Sequence, residues 1–320
     1  MIAVLLVLLF GTCSCTILSD APSEQISQWS SFVEEHEKLY DSPEEESRRF
    51  DVFRENMRKI EELNERHKGK ATFGVTKFSD LTENEFAQMF NEESDPKAAG
   101  ASLCTHSDKK PFASRDWRPK MRSPVRNQGL CGSCYIFSVL GAIEAHYAIR
   151  NNRSHDFSEQ EVLDCLASGC VGGSRLQVYS RAEAPGLESE SDYAHEYCEE
   201  RRTCDKTAAP RMSIKGHCNL FGEEQIRRAV DQVGPVSLGI NATMPEYQHY
   251  RGGIISSRSC GHKRTNHAVL AVGYGEKNGV KFWLIRNSYG PQWGEDGHFK
   301  IERGANMCGV ETFANYPVLN

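Results

Sequence analysis

Ten of the chain's twelve cysteines lie between residues 104 and 308, and none lies between 16 and 103. This distribution divides the 320 residues into a thiol-free front and a cross-linkable back. Cysteine-dense folds belong to oxidising compartments, where disulfides form and persist. The remaining two, Cys13 and Cys15, follow a nine-residue apolar run from Ile2 to Phe10. Such a run is too short to cross a bilayer, which takes about 20 apolar residues. An apolar run followed by Gly11-Thr12-Cys13-Ser14-Cys15 has the form of a secretory signal, and residues 1–15 are read as one. No Lys or Arg precedes it, so the amino terminus supplies its positive charge. The rest is expected to travel the secretory pathway and to be secreted or held in lysosomes or endosomes.

Charge follows the same division. The formal net charge is -6: residues 16–100 carry 11 basic and 20 acidic groups, and residues 101–320 carry 27 and 24. An acidic front and a mildly basic back are expected to attract each other. With 39% hydrophobic and 26% charged residues, the chain reads as a globular protein rather than a disordered or multi-span one. The balance excludes a globally basic nucleic-acid binder, and neither nucleic acid nor membrane is an expected partner. Asn152 (N-R-S) and Asn241 (N-A-T) are candidate glycan acceptors.

Residues 26–67 are rich in helix formers, and Pro43 is their only proline. Within them Glu45, Arg49, Phe53, Asn56, Ile60 and Asn64 recur at steps of 4, 4, 3, 4 and 4. Those steps keep one helix face in register. An amphipathic helix explains the apolar members but not the Glu, Arg and two Asn on the same stripe. The stripe resembles the E-R-F-N-I-N signature of propeptides in the cathepsin L-like branch of the papain family. Phe73 to Asp80 resembles that family's second propeptide motif, G-x-N-x-F-x-D, with Thr76 at the Asn position as a polar strand residue. The resemblance implies an inhibitory prosegment over 16–100 and a mature peptidase over 101–320. Glu92 to Gly100 has no periodicity and reads as an exposed linker.

In the back part the central string is Asn127-Gln128-Gly129-Leu130-Cys131-Gly132-Ser133-Cys134-Tyr135. Two cysteines so spaced suit a redox pair, half a zinc site, or a nucleophile beside a structural disulfide. Zinc needs a second close ligand pair, and Cys165/Cys170 is spaced too loosely to supply it. A redox pair would follow a strand in a βαβ unit, and no such unit is apparent. The string resembles the papain/cathepsin signature C-G-[SA]-C-[WY], whose His and Asn follow about 130–150 residues on. Here His267 and Asn287 follow Cys134 by 133 and 153 residues. Thr265 to Gly275 resembles the family's histidine strand, and Trp283 to Gly294 its asparagine loop.

The resemblance implies a Cys134 thiolate nucleophile, His267 as proton acceptor and donor, Asn287 fixing the imidazole, and Gln128 in the oxyanion hole. Ser133 to Asn151 reads as a helix, which sets Cys134 in a first turn where the dipole favours a negative sulfur. Tyr135 and Tyr289 stand where the family usually has Trp; the second implies weaker shielding of the His–Asn bond and a narrower or shifted pH profile. Gly172 and Gly173 match the substrate-binding glycine wall. Arg175, Gly239, Thr265, Ala268 and Phe313 fall at the pocket for the side chain two before the cut, with Arg175 expected to point to solvent. Trp293 joins the substrate-binding set.

By the same resemblance the disulfides are Cys131–Cys170, Cys165–Cys204 and Cys260–Cys308. Cys104 with Cys218 resembles mite group 1 allergen proteases and leaves Cys198 unpaired; the competing pairing is Cys165–Cys198. The implied fold is α+β and papain-like: a helical left lobe, with a capping box of Ser158 and Glu161, and a β-rich right lobe with strands near 236–240, 267–273, 282–287 and 297–303. The implied activity is endopeptidase action through an acyl-thioenzyme, in a monomer without metal or cofactor. Its partners are protein and peptide substrates, its own prosegment, and cystatin-like inhibitors. The alternatives are an exopeptidase of the same fold and an idle binding or allergen-like protein.

Overall fold

The prosegment helices begin where local chemistry requires it. Ser42 accepts the Glu45 amide at 3.2 Å and Pro43 occupies the first helical position, where its missing N–H costs nothing. The proline therefore separates α1 (Ser23–Glu35) from α2 (Pro43–Arg66). A computed structural model describes residues 22–90, 104, 106–205, 209, 211–256, 260 and 264–320. The signal run, the 92–100 linker and the boundary at residue 100 lie outside these residues.

After α2 come β1 (Ala71–Phe73), α3 (Glu83–Ala87) and β2 (Arg115–Asp116). The left lobe follows, with α4 (Cys134–Asn151), α5 (Glu159–Cys165) and α6 (Arg175–Glu183). The right lobe holds β3 (Gly216–Leu220), α7 (Glu223–Gln232), β4 (Val236–Ile240), α8 (Pro245–His249) and β5 (Tyr250–Ile255). It ends with β6 (His267–Lys277), β7 (Val280–Arg286), β8 (His298–Glu302) and β9 (Ala314–Val318).

Each lobe has its own core. One gathers Ile136, Val139, Leu140, Val162, Leu163 and Tyr179 around α4 to α6. The other lines the sheet with Leu238, Val269, Trp283, Ile285, Phe299 and Ile301. Helix α4 is buried almost all round, as a helix covered on every side must be. It packs against β6 and β4, where Ser138 Oγ reaches the Val269 carbonyl at 2.7 Å and Ser237 Oγ at 2.6 Å. The sheet order is β1-β5-β8-β7-β6-β4-β9-β3, with β2 beside β6. The four expected strands are present, β6 running on to Lys277.

The Ser158 box is half-formed. Ser158 Oγ accepts the Glu161 amide at 3.3 Å, but the Glu161 carboxylate turns to Arg181 and Arg211. The Ser158 amide donates instead to the Glu188 carbonyl. Two guanidinium partners outbid one backbone N–H because charge-assisted hydrogen bonds are about twice as strong as neutral ones.

Candidate active site

The catalytic candidates meet where α4, β6 and the loop after β7 converge. Cys134 is the first residue of α4 and is buried. Its sulfur accepts the Ala268 amide at 3.4 Å, which fixes it beside the first residues of β6. His267 opens β6, and its Nε2 lies 2.8 Å from Asn287 Oδ1. The Ser288 amide donates to the same Oδ1 at 2.9 Å. An oxygen already accepting one N–H must accept from Nε2 as well, so Nε2 carries the ring proton. Nδ1 is left with a lone pair and no hydrogen-bond partner. That is the arrangement of a base held ready for a thiol proton.

Gln128 is fully buried. Its Nε2 donates to the Cys131 carbonyl at 2.9 Å, and Ser288 Oγ donates to its Oε1. The second Nε2 hydrogen can face an oxyanion. Tyr197, which sequence reasoning did not single out, donates to the Gln128 carbonyl at 2.8 Å and meets Ser133 Oγ at 2.7 Å. No spacing marks it, because it joins through a loop remote in sequence. Ser288 was findable as the neighbour of Asn287.

The prosegment lies on this site. Tyr289 stacks on His267 with centroids 5.3 Å apart and planes 18° apart. Phe90 meets the imidazole at 5.2 Å, and Phe78 meets the Tyr289 ring at 5.1 Å. His267 is 2% exposed. Burial pushes its pKa down to about 4, against the hydrogen bond that its Nε2 donates to Asn287, which favours the charged form. The imidazolium half of a thiolate–imidazolium pair is therefore disfavoured while the prosegment is seated.

The seat is built from backbone pairing. Strand β1 adds antiparallel to β5, with Ala71 opposite Gly253 and Thr72 opposite Gly252. Gln248 Nε2 donates to the Phe78 and Leu81 carbonyls at 2.9 and 2.7 Å. Thr76 lies past the strand rather than in it, and its hydroxyl donates to the Gln248 carbonyl at 2.7 Å. The polar stripe on α2 holds the following turn. Asn56 donates to the Ser79 and Leu81 carbonyls at 2.9 and 2.8 Å. Arg49 joins Glu45, Glu85 and the Asp80 carbonyl. Asn64 exchanges two 2.9 Å bonds with Phe73. Among the described residues, the ion pair that crosses from prosegment to lobes runs from Arg66 to buried Glu246, whose carboxylate also meets His67 Nε2 at 3.1 Å. Its polarity is opposite to the one that the net charges suggest.

The subsite residues divide. Gly239 and Ala268 are paired neighbours on β4 and β6, and Thr265 is half-buried just before β6. Gly173 lies where a Cβ would fall 2.6 Å from the Tyr135 ring, and buried Gly172 has φ 98°. Arg175 does not point to solvent: it is fully buried, 5.1 Å over the Phe313 ring, and its donors reach the Phe313 carbonyl and Asn315. A stacked, bonded guanidinium escapes the default exposure of arginine. Trp293 is 1% exposed and packs behind Tyr289 at 5.2 Å, donating to the Tyr247 carbonyl.

Cysteine pairs join Cys104–Cys218, Cys131–Cys170, Cys165–Cys204 and Cys260–Cys308, leaving Cys134 and Cys198 as thiols. Asn152 is exposed at the end of α4. Asn241 is buried, with its amide aimed at the Cys260 carbonyl and its Oδ1 taken by Thr243.

Fold and site together define a cysteine protease held beneath its own prosegment, and sequence comparison agrees. Residues 112–318 match the papain family cysteine protease model, and residues 29–86 match the cathepsin propeptide inhibitor domain. The chain belongs to the papain family and is a cysteine protease zymogen. It is 34% identical to the cathepsin L-like proteinase of Phaedon cochleariae over 98% of this chain and 99% of that one. It is 37% identical to pro-cathepsin H of Mus musculus, over 90% of this chain and 89% of that one. The solved structure of digestive procathepsin L 3 from the larval midgut of Tenebrio molitor superposes with a TM-score of 0.86. That match has 35% identity and covers 93% of this chain and all of that one.

Proposed function

We propose that the mature enzyme, residues 101–320, is an endopeptidase in which Cys134 attacks the peptide carbonyl and forms an acyl-thioenzyme. The observation that carries this reading is that the Ala268 amide holds the Cys134 sulfur at the start of β6, next to a His267 whose tautomer Asn287 fixes and whose Nδ1 is unpartnered. His267 takes the thiol proton and later delivers it to the leaving amine. Asn287 keeps the ring oriented. Gln128 Nε2 and the Cys134 amide stabilise the tetrahedral oxyanion; losing one such donor typically costs about 3–4 kcal/mol. Water then attacks the thioester, with His267 as base, and the acid product leaves.

Residues 16–100 act as the inhibitor. They cover His267 and keep it neutral, so the ion pair forms when they depart. Residues 1–15 direct the chain to the secretory pathway, and Asn152 carries a glycan. Cystatin-like inhibitors bind the same cleft, and the enzyme works as a monomer. The test is Cys134→Ser. We expect a folded, secreted zymogen that neither matures nor cleaves fluorogenic peptides. Peptidase activity equal to the parent's would overturn the assignment.

A further inference from the structure

Lysine is rarely drawn into an interface without an acid or an acceptor waiting for it. Lys77 is half-buried where the prosegment crosses the cleft, one residue before the Phe78 that packs on Tyr289. Its ammonium donates to Asn127 Oδ1 at 2.6 Å. Glu199 lies close enough to favour the charged form of Lys77, against a desolvation that lowers its pKa to about 8. The Glu199 carboxylate is fixed in place. Its Oε2 accepts the Leu130 amide at 2.7 Å, and it fills the space that a Cβ on Gly129 would occupy. Asn127 Oδ1 is fixed as well, by the Gly129 amide at 3.1 Å. Both acceptors flank Gln128, and Asn127 pairs with Tyr289 through an isolated bridge. Tyr289 covers one side of His267, the group that hands its proton to the leaving amine. The glycine wall and Ala268 belong to the acyl side.

We propose that Asn127 and Glu199 form a subsite for a cationic side chain on the leaving-group side of the cut, and that Lys77 occupies it in the zymogen. This inference rests on the endopeptidase reading. Once the prosegment leaves, both acceptors are exposed in the cleft, and a Lys or Arg side chain of the substrate replaces the Lys77 ammonium. A Glu at that substrate position meets a like charge. The prosegment thus holds a place that the enzyme later uses for selection.

The test uses the matured enzyme and internally quenched peptides carrying Lys, Ala or Glu at each of the first three positions after the cut. At one position kcat/KM should rank Lys above Ala above Glu, with Lys over Ala about three- to fivefold, the range of a partly exposed ion pair. Glu199→Gln should bring that ratio near unity, and Glu199→Lys should favour Glu over Lys at the same position. A merely structural Glu199 would lower all three rates together. For the unaltered enzyme, raising salt from 0.05 to 0.5 M (about 14 to 4 Å screening) should shrink the Lys preference. A Lys/Ala ratio near one at all three positions, or one insensitive to both salt and Glu199→Lys, overturns the subsite. Hydrolysis of the Ala peptide in the same assay shows whether the protease reading itself stands.

Discussion

His249 is the residue whose surroundings most clearly link the prosegment to pH. It is fully buried, neither ring nitrogen has a hydrogen-bond partner, and its own carbonyl holds the Gly74 amide of the prosegment. Burial, with Lys59 of α2 adding repulsion, pushes its pKa from 6.5 down to about 3. A depressed histidine is a neutral one, so protons favour whichever state exposes it. Docking contributed by His249 is complete above about pH 6.5 and is lost as pH falls toward 3. Lys59 across the seam is displaced in the same opening. In a Cys134→Ser zymogen, His249→Phe should move the pH midpoint of prosegment opening downward, read by hydrogen exchange at Ala71 to Phe73. An unmoved midpoint would assign the acid response to other groups. Prosegment carboxylates are weaker candidates, because the described cross-seam ion pair places the acid, Glu246, on the enzyme. Cys134, His267, Asn287 and Gln128 could be read from short strings because each string is local. Arg175 could not: its burial depends on Phe313 and Asn315, far along the chain.

At the level of elements, α2 works as a ruler for the turn that crosses the cleft. Asn56 is 1% exposed and ties α2 to two carbonyls of residues 79 and 81. Asn56→Ala removes both bonds and leaves buried acceptors unpaired, a cost of about 2–4 kcal/mol. We expect that variant to open at higher pH and to mature faster, with an unchanged mature enzyme; an opening midpoint identical to the parent's would contradict it. Strand pairing offers an independent check. Gly253 has φ 85°, and a Cβ there would fall 2.3 Å from the Lys70 carbonyl. Gly253→Ala should therefore weaken prosegment inhibition, measured as residual activity of the uncleaved chain, more than it alters the matured enzyme's kcat/KM. The α2 stripe announced its own importance, since its polar members have no use on a bare amphipathic helix. What the stripe grips was not written in the stripe. The turn at 76–81 and the Gln248 side chain are partners beside the β1–β5 pairing, a contact between segments about 180 residues apart.

Across the whole molecule, cross-links are apportioned by lobe. Cys131–Cys170 and Cys165–Cys204 close the left lobe, while Cys104–Cys218 and Cys260–Cys308 close the right. What joins the lobes is α4 against β6 and β4, through packed side chains and the bonds of Ser138 to Val269 and Ser237. Cys104–Cys218 spans 114 residues and anchors the chain that leads into the left lobe. Replacing both by Ser should lower the matured enzyme's stability by about 2–4 kcal/mol, seen as an earlier denaturant midpoint, with kcat/KM retained. A midpoint that does not move would mean that the leading segment contributes nothing to the global fold. Composition foretold that the front and back would differ, and the two cores follow the expected helical and β-rich halves. The sign of the contact between them was not deducible from totals. A formal charge summed over a segment says nothing about which few groups end up facing each other.

The strand that the prosegment lends to β5 reaches beyond inhibition. Once β1 departs, the row of N–H and C=O groups along Tyr250–Ile255 becomes an open border of the sheet. Open borders recruit other chains and seed aggregates. The borrowed strand thus doubles as a shipping cover for that border for as long as the chain stays uncleaved.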